Sequence, residues 1–453
     1  MSSSRRTTGQ ADPTTVSPTM MIPCTVVILG AVLGVGPASS GADETAGLRE
    51  RVDAMEARIA RLEASDQAGH LLTVRRAAEV RGLVTDILAD ADSRVAELDR
   101  SLTGGWDGHF FVGSADGSFL MRAMGVVQSR FVFSHQDNSA GDNDRWGFEN
   151  SRVRLKVSGH VVDPSWHFFL QVEFAQSPGL RDAMVRKDLG GGWFLKAGQF
   201  KLPFTREKLL TFTKQLAVDR SLVDRVYSVG RSAALELDYV GQKWRFRGNI
   251  NNGARSLGVG ALSTGTDFAF AARVETVVLG GTWKQFSEFR GHRVAHDGAL
   301  IGAAIFYQNN NASAADPDDE RFAVTADLVT QLRRIDVFAS FIWNHVEPGA
   351  PGAPSMSQFG AVIEGGVFVT DDWELFARYE WSDFDSTGVS DLSVVTAGVI
   401  RYYKGNMLKW TTDVGVGLNP VDPVFAAPGL GWRADAPGQN GQVVVRSQLQ
   451  LLF

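Results

Sequence analysis

From Phe110 to the end of the chain, apolar and polar side chains alternate with a period of two. Within 148–204, Val153, Leu155 and Val157 alternate with Arg152, Arg154, Lys156 and Ser158. Successive strand side chains point to opposite faces, so this ribbon has an apolar wall backed by a charged one. After the Asp163-Pro164 turn, Trp166, Phe168, Leu170, Val172 and Phe174 take one face and His167, Gln171 and Glu173 the other. Earlier, Phe119, Met121, Ala123, Val127, Phe131 and Phe133 alternate with Arg122, Gln128 and Arg130. Later, Trp244, Phe246 and Ile250 oppose Lys243, Arg245, Arg247 and Asn249. Continued to the end, the pattern predicts sixteen strands, most of about the 9–11 residues that cross a bilayer at a tilt.

The connections alternate in length. Those at 159–165, 189–192, 240–242, 331–333, 370–372 and 403–406 are short. Those at 134–144, 203–230, 252–267, 309–320, 346–357 and 418–441 are longer and polar. Short periplasmic turns against long outer loops is the asymmetry of a transmembrane barrel. The connection 280–298 breaks the parity by being long where a short one is due. Trp166, Trp193, Trp244, Trp373, Trp381 and Tyr402 fall near strand ends, where an interfacial girdle belongs. The fold class expected is therefore all-β: a 16-stranded antiparallel transmembrane β-barrel, preceded by a short N-terminal helical or coiled-coil segment. In the last strand Val443, Val445, Leu449, Leu451 and Phe453 share a face against Gln442, Arg446, Gln448 and Gln450. A terminal aromatic with apolar residues two and four positions before it, here Leu449, Leu451 and Phe453, looks like the recognition signal of the barrel-assembly machinery and is expected to act as one. The alternative is a secreted coiled-coil protein with a soluble β-sandwich that binds glycans; its outer faces lack an apolar girdle, and its edge strands stay open.

Residues 1–42 are expected to be a cleaved signal peptide. The apolar run 21–36 has the length of a signal h-region, shorter than the ~20 residues of a spanning helix. Small residues follow, with cleavage placed near Ala42. Residues 43–105 are expected to form a periplasmic coiled coil and helical linker. Leu48, Val52, Met55, Ile59 and Leu62 make a heptad seam of the kind that favours a dimer, and Gly104-Gly105 ends the linker. The barrel is then 106–453.

Composition adds exclusions. The formal net charge of -6 argues against nucleic acid. The one cysteine, Cys24, lies in the segment expected to be removed, which argues against disulfide and zinc-thiolate chemistry. The eight histidines show no pairing with Ser and Asp on neighbouring strands, so no enzyme is expected. No cofactor and no metal site are expected either: the acidic loops around Asp137 and Asp316 do not match the spacing of a calcium loop.

Several stretches resemble the phosphate-selective porin O and P family: GFENSRVRLKVSGHVVDPSWHFFLQVEF (147–174), LRDAMVRKDL (180–189), LKAGQFKLPFTRE (195–207) and RSAALELDY (231–239). The resemblance implies a sixteen-stranded channel in the outer membrane of a Gram-negative-type bacterium, seated in its lipids. It also implies a homotrimer, which the dimer-favouring seam does not, and a third outer loop, here 203–230, folded into the lumen as a constriction. Charged rings and width set selectivity in such a pore. The candidate lumen contacts are Arg122, Arg130, Arg152, Arg154, Lys156, Lys243, Arg245 and Arg247 on strands, with Lys201, Arg206, Lys208, Lys214, Arg220 and Arg225 in and beside the loop. Guanidinium forks suit phosphate and carboxylate oxygens. Later strands put Asp336, Glu364, Glu374, Glu380 and Asp413 inside, so a basic wall is expected to face a more acidic one. The function expected is passive diffusion of small hydrophilic solutes, with a preference for phosphate or other small anions.

Overall fold

The computed structural model describes residues 102–453 except 138–142, 177, 259, 261–264, 290–295, 311–318, 351 and 437. Of the first 101 residues it describes Gly82, Thr85 and Asp86, all helical and inside the stretch expected as linker. The heptad seam residues and Cys24 lie outside the described residues. The chain divides into two units at Arg94, and the barrel belongs to the second, Val95–Phe453.

Two short strands come first, β1 (Leu102–Trp106) and β2 (Phe110–Ser114). Gly104 and Gly105 lie inside β1 and pair with Val112 and Phe111, so they continue a strand where the sequence placed the end of a linker. Then follow β3 (Leu120–His135), β4 (Asp144–His160), β5 (Trp166–Glu173), β6 (Gly179–Gly190), β7 (Trp193–Lys201), β8 (Arg231–Val240), β9 (Trp244–Asn251) and β10 (Thr266–Leu279). The second half holds β11 (Gly298–Asn310), β12 (Glu320–Leu332), β13 (Ile335–Glu347), β14 (Met356–Phe368), β15 (Trp373–Asp383), β16 (Leu392–Lys404), β17 (Leu408–Gly417) and β18 (Val443–Leu452). Each strand from β3 onward is antiparallel to the next, and β18 pairs with β3 to close a ring of sixteen. Closure leaves no open edge and satisfies the backbone internally, as hydrocarbon demands. The two-layer sandwich is therefore not what the chain forms.

The seam is built from residues over 300 positions apart, from Val443 opposite His135 to Leu452 opposite Val126. At its foot Phe453 N–H donates to Gly125 O at 3.0 Å. Below that point β3 changes partner: Leu120 to Ala123 pair with β2. A Cβ on Gly125 would lie 2.5 Å from the Phe453 ring, so a larger residue there displaces the ring.

The outer face carries the apolar set. Leu170, Val185, Leu195, Leu235, Ile250, Ile301, Phe341, Ile363, Leu375 and Leu449 are all exposed. Arg or Lys in such a band costs about 2–4 kcal/mol at mid-membrane, which is why the band is kept free of them. Trp166, Trp193 and Trp244 stand exposed at the rim with the short turns. Tyr402 does not join them. It is buried in the bore, where its hydroxyl reaches Glu374, and Tyr403 faces outward in its place.

In β4 the alternation changes face. Gln128 opposes Arg152 and Ser129 opposes Asn150, leaving Ser151 as a bulge. Trp146 and Phe148 therefore point outward before it, while Arg152, Arg154 and Lys156 point into the bore after it. One extra residue lets even-numbered positions serve both walls.

Among the described residues, three connections fold inward and narrow the bore. The loop 202–230 enters from the long-loop rim, with Leu202, Phe204, Leu216, Leu222, Val223 and Tyr227 buried. The last loop, 418–442, adds buried Val421, Phe425 and Trp432. The exceptional connection 280–297 enters from the short-turn rim with buried Phe286 and Phe289. Glycines in the wall seat these insertions. A Cβ on Gly360 would lie 2.8 Å from Val223, and one on Gly415 would lie 2.6 Å from Trp432.

Candidate functional site

The loop 202–230 carries two short helices, α1 (Arg206–Leu209) and α2 (Leu222–Tyr227). Ser221 caps α2 by accepting from Asp224 N–H at 2.9 Å, a standard use of a short polar side chain. Neither helix is long enough to stand alone, so the loop's shape comes from its anchors on the wall. Lys409 donates to Gln215 O at 2.8 Å, and Asp413 accepts from Val218 N–H at 2.9 Å. Arg378 donates to Asp219 O at 2.8 Å, Arg273 to Phe204 O at 2.8 Å, and Arg321 to Tyr227 O at 2.9 Å. Tyr227 Oη meets Ser382 Oγ at 2.7 Å. The orphaned backbone groups of an irregular segment are thus satisfied by charged groups of β10, β12, β15 and β17.

The basic ladder of β4 faces the loop. Arg152, Arg154 and Lys156 lie 5.0, 4.3 and 5.1 Å from the centre of the Phe212 ring. At the upper end Arg152 contacts both oxygens of Asp219 at 2.8 Å, and Arg130 reaches the same carboxylate at 3.2 Å. Burial alone would raise the Asp219 carboxyl, but the two guanidiniums hold it well below the usual carboxylate range. Lys201 donates to Leu209 O and Leu210 O, and Arg220 to Glu207 O and Leu210 O. Arg206 pairs with Glu275 at 2.8 Å. Lys214 donates to Ser287 Oγ at 3.2 Å.

Above the loop opens a cavity of about 1030 Å³. Its lining includes the cations Arg130, Arg152, Arg181, Lys208, Arg220, Arg225, Arg231, Arg255 and Arg321 against Asp219, Asp224 and Asp319. Nine positive against three negative groups is a formal excess of six in the lining, and of four once Glu149 and Asp182, the partners of Arg130 and Arg231, are counted.

Five of the sequence-selected cations, Arg130, Arg152, Lys208, Arg220 and Arg225, line the vestibule, and two do not enter the bore at all. Arg122 lies at the foot of β3, half out in solvent and paired with Asp107 at 3.1 Å. Lys243 sits exposed in the short turn before β9. Arg245 and Arg247 face the lower bore, paired with Asp238 at 3.1 Å and Glu275 at 3.9 Å. The sequence reading missed Arg181, Arg255 and Arg321. Arg321 lies in phase with Thr325 and Asp327 and was legible by alternation, whereas Arg181 is the extra residue of a bulge between Leu180 and Asp182 and was not. Arg255 is in a loop and had no such signal. The acidic side chains Asp336, Glu364, Glu374, Glu380 and Asp413 do face inward and are buried. They alternate with cations: Arg446 clasps Asp413 at 2.7 and 2.9 Å, and Arg378 meets Glu380 at 2.9 Å. The far wall is therefore a mosaic in place of a continuous negative face.

Burial pushes the Glu207 carboxyl up to about 8, with Asp224 adding to the rise. Burial pulls the Lys208 ammonium down to about 8 against the opposing pull of Asp224. The first is neutral and the second charged at pH 7; by pH 9 the first is charged and the second neutral. The loop thereby loses two units of positive charge. Anion-over-cation permeability is expected to fall about two-fold between pH 7 and 9, and the fall should vanish in the Glu207→Gln, Lys208→Arg double variant. Reversal potentials across that range check it; a flat profile in the unmodified channel contradicts the assignment.

Residues 127–412 match the family described as phosphate-selective porin O and P. No curated protein matches the chain. Three solved structures share its fold. The outer membrane channel DcaP of Acinetobacter baumannii is 13% identical, with a TM-score of 0.51 over 75% of this chain and 99% of that one. The outer-membrane expressed OmpT of Vibrio cholerae is 12% identical, with a TM-score of 0.51 over 74% and 98%. An anion-selective porin from Comamonas acidovorans is 13% identical, with a TM-score of 0.50 over 74% and 99%.

Proposed function

Given that the chain belongs to the phosphate-selective porin O and P family, we propose that its bore passes small hydrophilic solutes with a preference for phosphate and other small anions. Membership makes the chain a porin, a channel of the outer membrane. The preference rests on one observation, the excess of cations around the vestibule above the inward loop. Fields from such groups concentrate counter-ions at a narrow mouth. The β4 ladder continues this charge past Phe212, so an anion entering the vestibule meets a guanidinium or ammonium at every second residue of the wall. Anion selectivity is also what the name of the Comamonas porin states.

Residues 1–42 direct export and are removed, and 43–101 form a periplasmic coiled coil and linker ahead of β1; as the family implies, three copies associate in the membrane. Leu449, Leu451 and Phe453 present the terminal strand to the assembly machinery. Planar-bilayer recording tests the selectivity. In a KCl gradient the reversal potential is expected to take the sign of chloride permeation, and phosphate in the bath should reduce chloride current. Cation preference would overturn the basic-vestibule reading.

A further inference from the structure

The connection 280–297 joins β10 to β11 at the rim where every other connection between consecutive barrel strands is short. Its length is used to re-enter the bore. Trp283 Nε1 donates to Gly241 O at 2.7 Å, which ties the start of the segment to the turn before β9. Phe286 and Phe289 are then buried, and the Phe289 ring lies 4.5 Å from that of Phe338 on β13. Gln331 donates to Glu288 O at 3.0 Å from β12, and Asn406 reaches the Glu288 carboxylate from the turn before β17. The segment is therefore fastened at β9, β12, β13 and β17, which lie on several sides of the mouth. From above, Arg206 donates to Phe286 O, and Lys214 to Ser287 Oγ at 3.2 Å. The two inward segments touch, one from each rim.

Between them lies a cavity of about 220 Å³ lined by Arg206, Arg245, Arg247, Glu275, Trp283 and Ser287 among others. Three guanidiniums face one carboxylate there. The Nε–H groups of Arg206 and Arg247 are buried and have no hydrogen-bond partner.

We propose that residues 283–289 are a second constriction in series with the 202–230 loop, so that a solute leaving the vestibule passes a basic antechamber and a periplasmic exit set by this turn. The inference rests on the channel reading but not on its sign of selectivity. It differs from a simple lumen loop in its location: the exit filter is made by a periplasmic connection.

The test places a thiol at Ser287 in a chain carrying Cys24→Ser, so that the new group is the one cysteine present. Single channels are recorded before and after a negatively or a positively charged thiosulfonate is added from the periplasmic side. Conductance is expected to fall about two-fold with either reagent, because added bulk lies in the current path. The negative reagent should also lower anion-over-cation permeability and the positive one raise it. Complete labelling, shown by mass, with unchanged conductance and reversal potential would overturn the proposal. A second variant replaces 283–289 by a short Gly-Ser turn and is expected to conduct about twice the current of the parent. Equal current from this variant, confirmed as a folded barrel by heat-modifiable migration, would also overturn it. A parent channel that prefers cations would instead sink the anion reading and leave this test intact.

Discussion

Deleting Phe453, or replacing Gly125 by Leu, is expected to cut the folded barrel recovered from outer membranes by about ten-fold. The reason is local to the seam. Phe453 N–H bonds to Gly125 O in the last rung between β18 and β3, and its ring covers the bare Gly125 backbone. Removing Phe453 leaves the Gly125 backbone N–H and C=O without their seam partners. A leucine at 125 meets the ring at less than contact distance and forces the rung open from the other strand. The seam also joins segments more than 300 residues apart, so nothing local holds it while the rest of the ring forms. Phe453→Leu keeps the backbone rung and an apolar cap and should retain most of the yield. Heat-modifiable migration of the membrane fraction measures the outcome. Parental recovery of the deletion variant would remove the seam's foot from any part in closure.

The second large effect expected is on selectivity. Arg181→Glu with Arg225→Glu changes the vestibule by four units, from a formal excess of six positive charges to two. Arg220 and Arg255 are left in place because their side chains hold backbone carbonyls of the 202–230 loop, and a change of the Arg225 side chain keeps its carbonyl for Arg255. The change therefore alters charge and leaves the loop's fastening intact. At ~8 Å across water, four units are worth ~2 kcal/mol before screening, and salt reduces this to about 1 kcal/mol. Anion-over-cation permeability is expected to drop about five-fold with conductance within about two-fold of the parent. Lysine in place of both arginines should restore the parent ratio. A double glutamate channel with an unshifted reversal potential would show that the vestibule does not control ion choice.

Most of the barrel was legible because hydrocarbon outside and water inside impose a strict period of two on every strand. Sixteen strands and the odd connection 280–297 follow from that period and from connection length, whereas the inward folding of 203–230 was implied only by the family resemblance. What the period does not carry is what happens at its interruptions. The Ser151 bulge lets Phe148 and Arg152, an even distance apart, face opposite ways. Tyr402 was assigned to the girdle by position near a strand end, yet it is the partner of Glu374. Lys243 shares the phase of Arg245 but falls one residue before the strand begins, in a turn. Gly104 and Gly105 read as a helix stop because β1 is only five residues long and has too little alternation to reveal itself. The pairing of charges was also beyond one-dimensional reading. Asp413 and Arg446 lie on adjacent strands and neutralise each other, so a tally of acids along the later strands overstated the negative wall.

Gly360 and Gly415 set the calibre of the tube by omission. Each strips the wall to bare backbone so that Val223 or Trp432 can sit against it. The diameter left for passage is therefore encoded on β14 and β17, while the sign of the cargo is encoded on β3, β4, β6, β8 and β12 and on the loops that follow β7 and β9. Width and polarity can drift separately: recharging the arginines retunes what is admitted without re-boring the tube, and enlarging a glycine re-bores it without touching the charge.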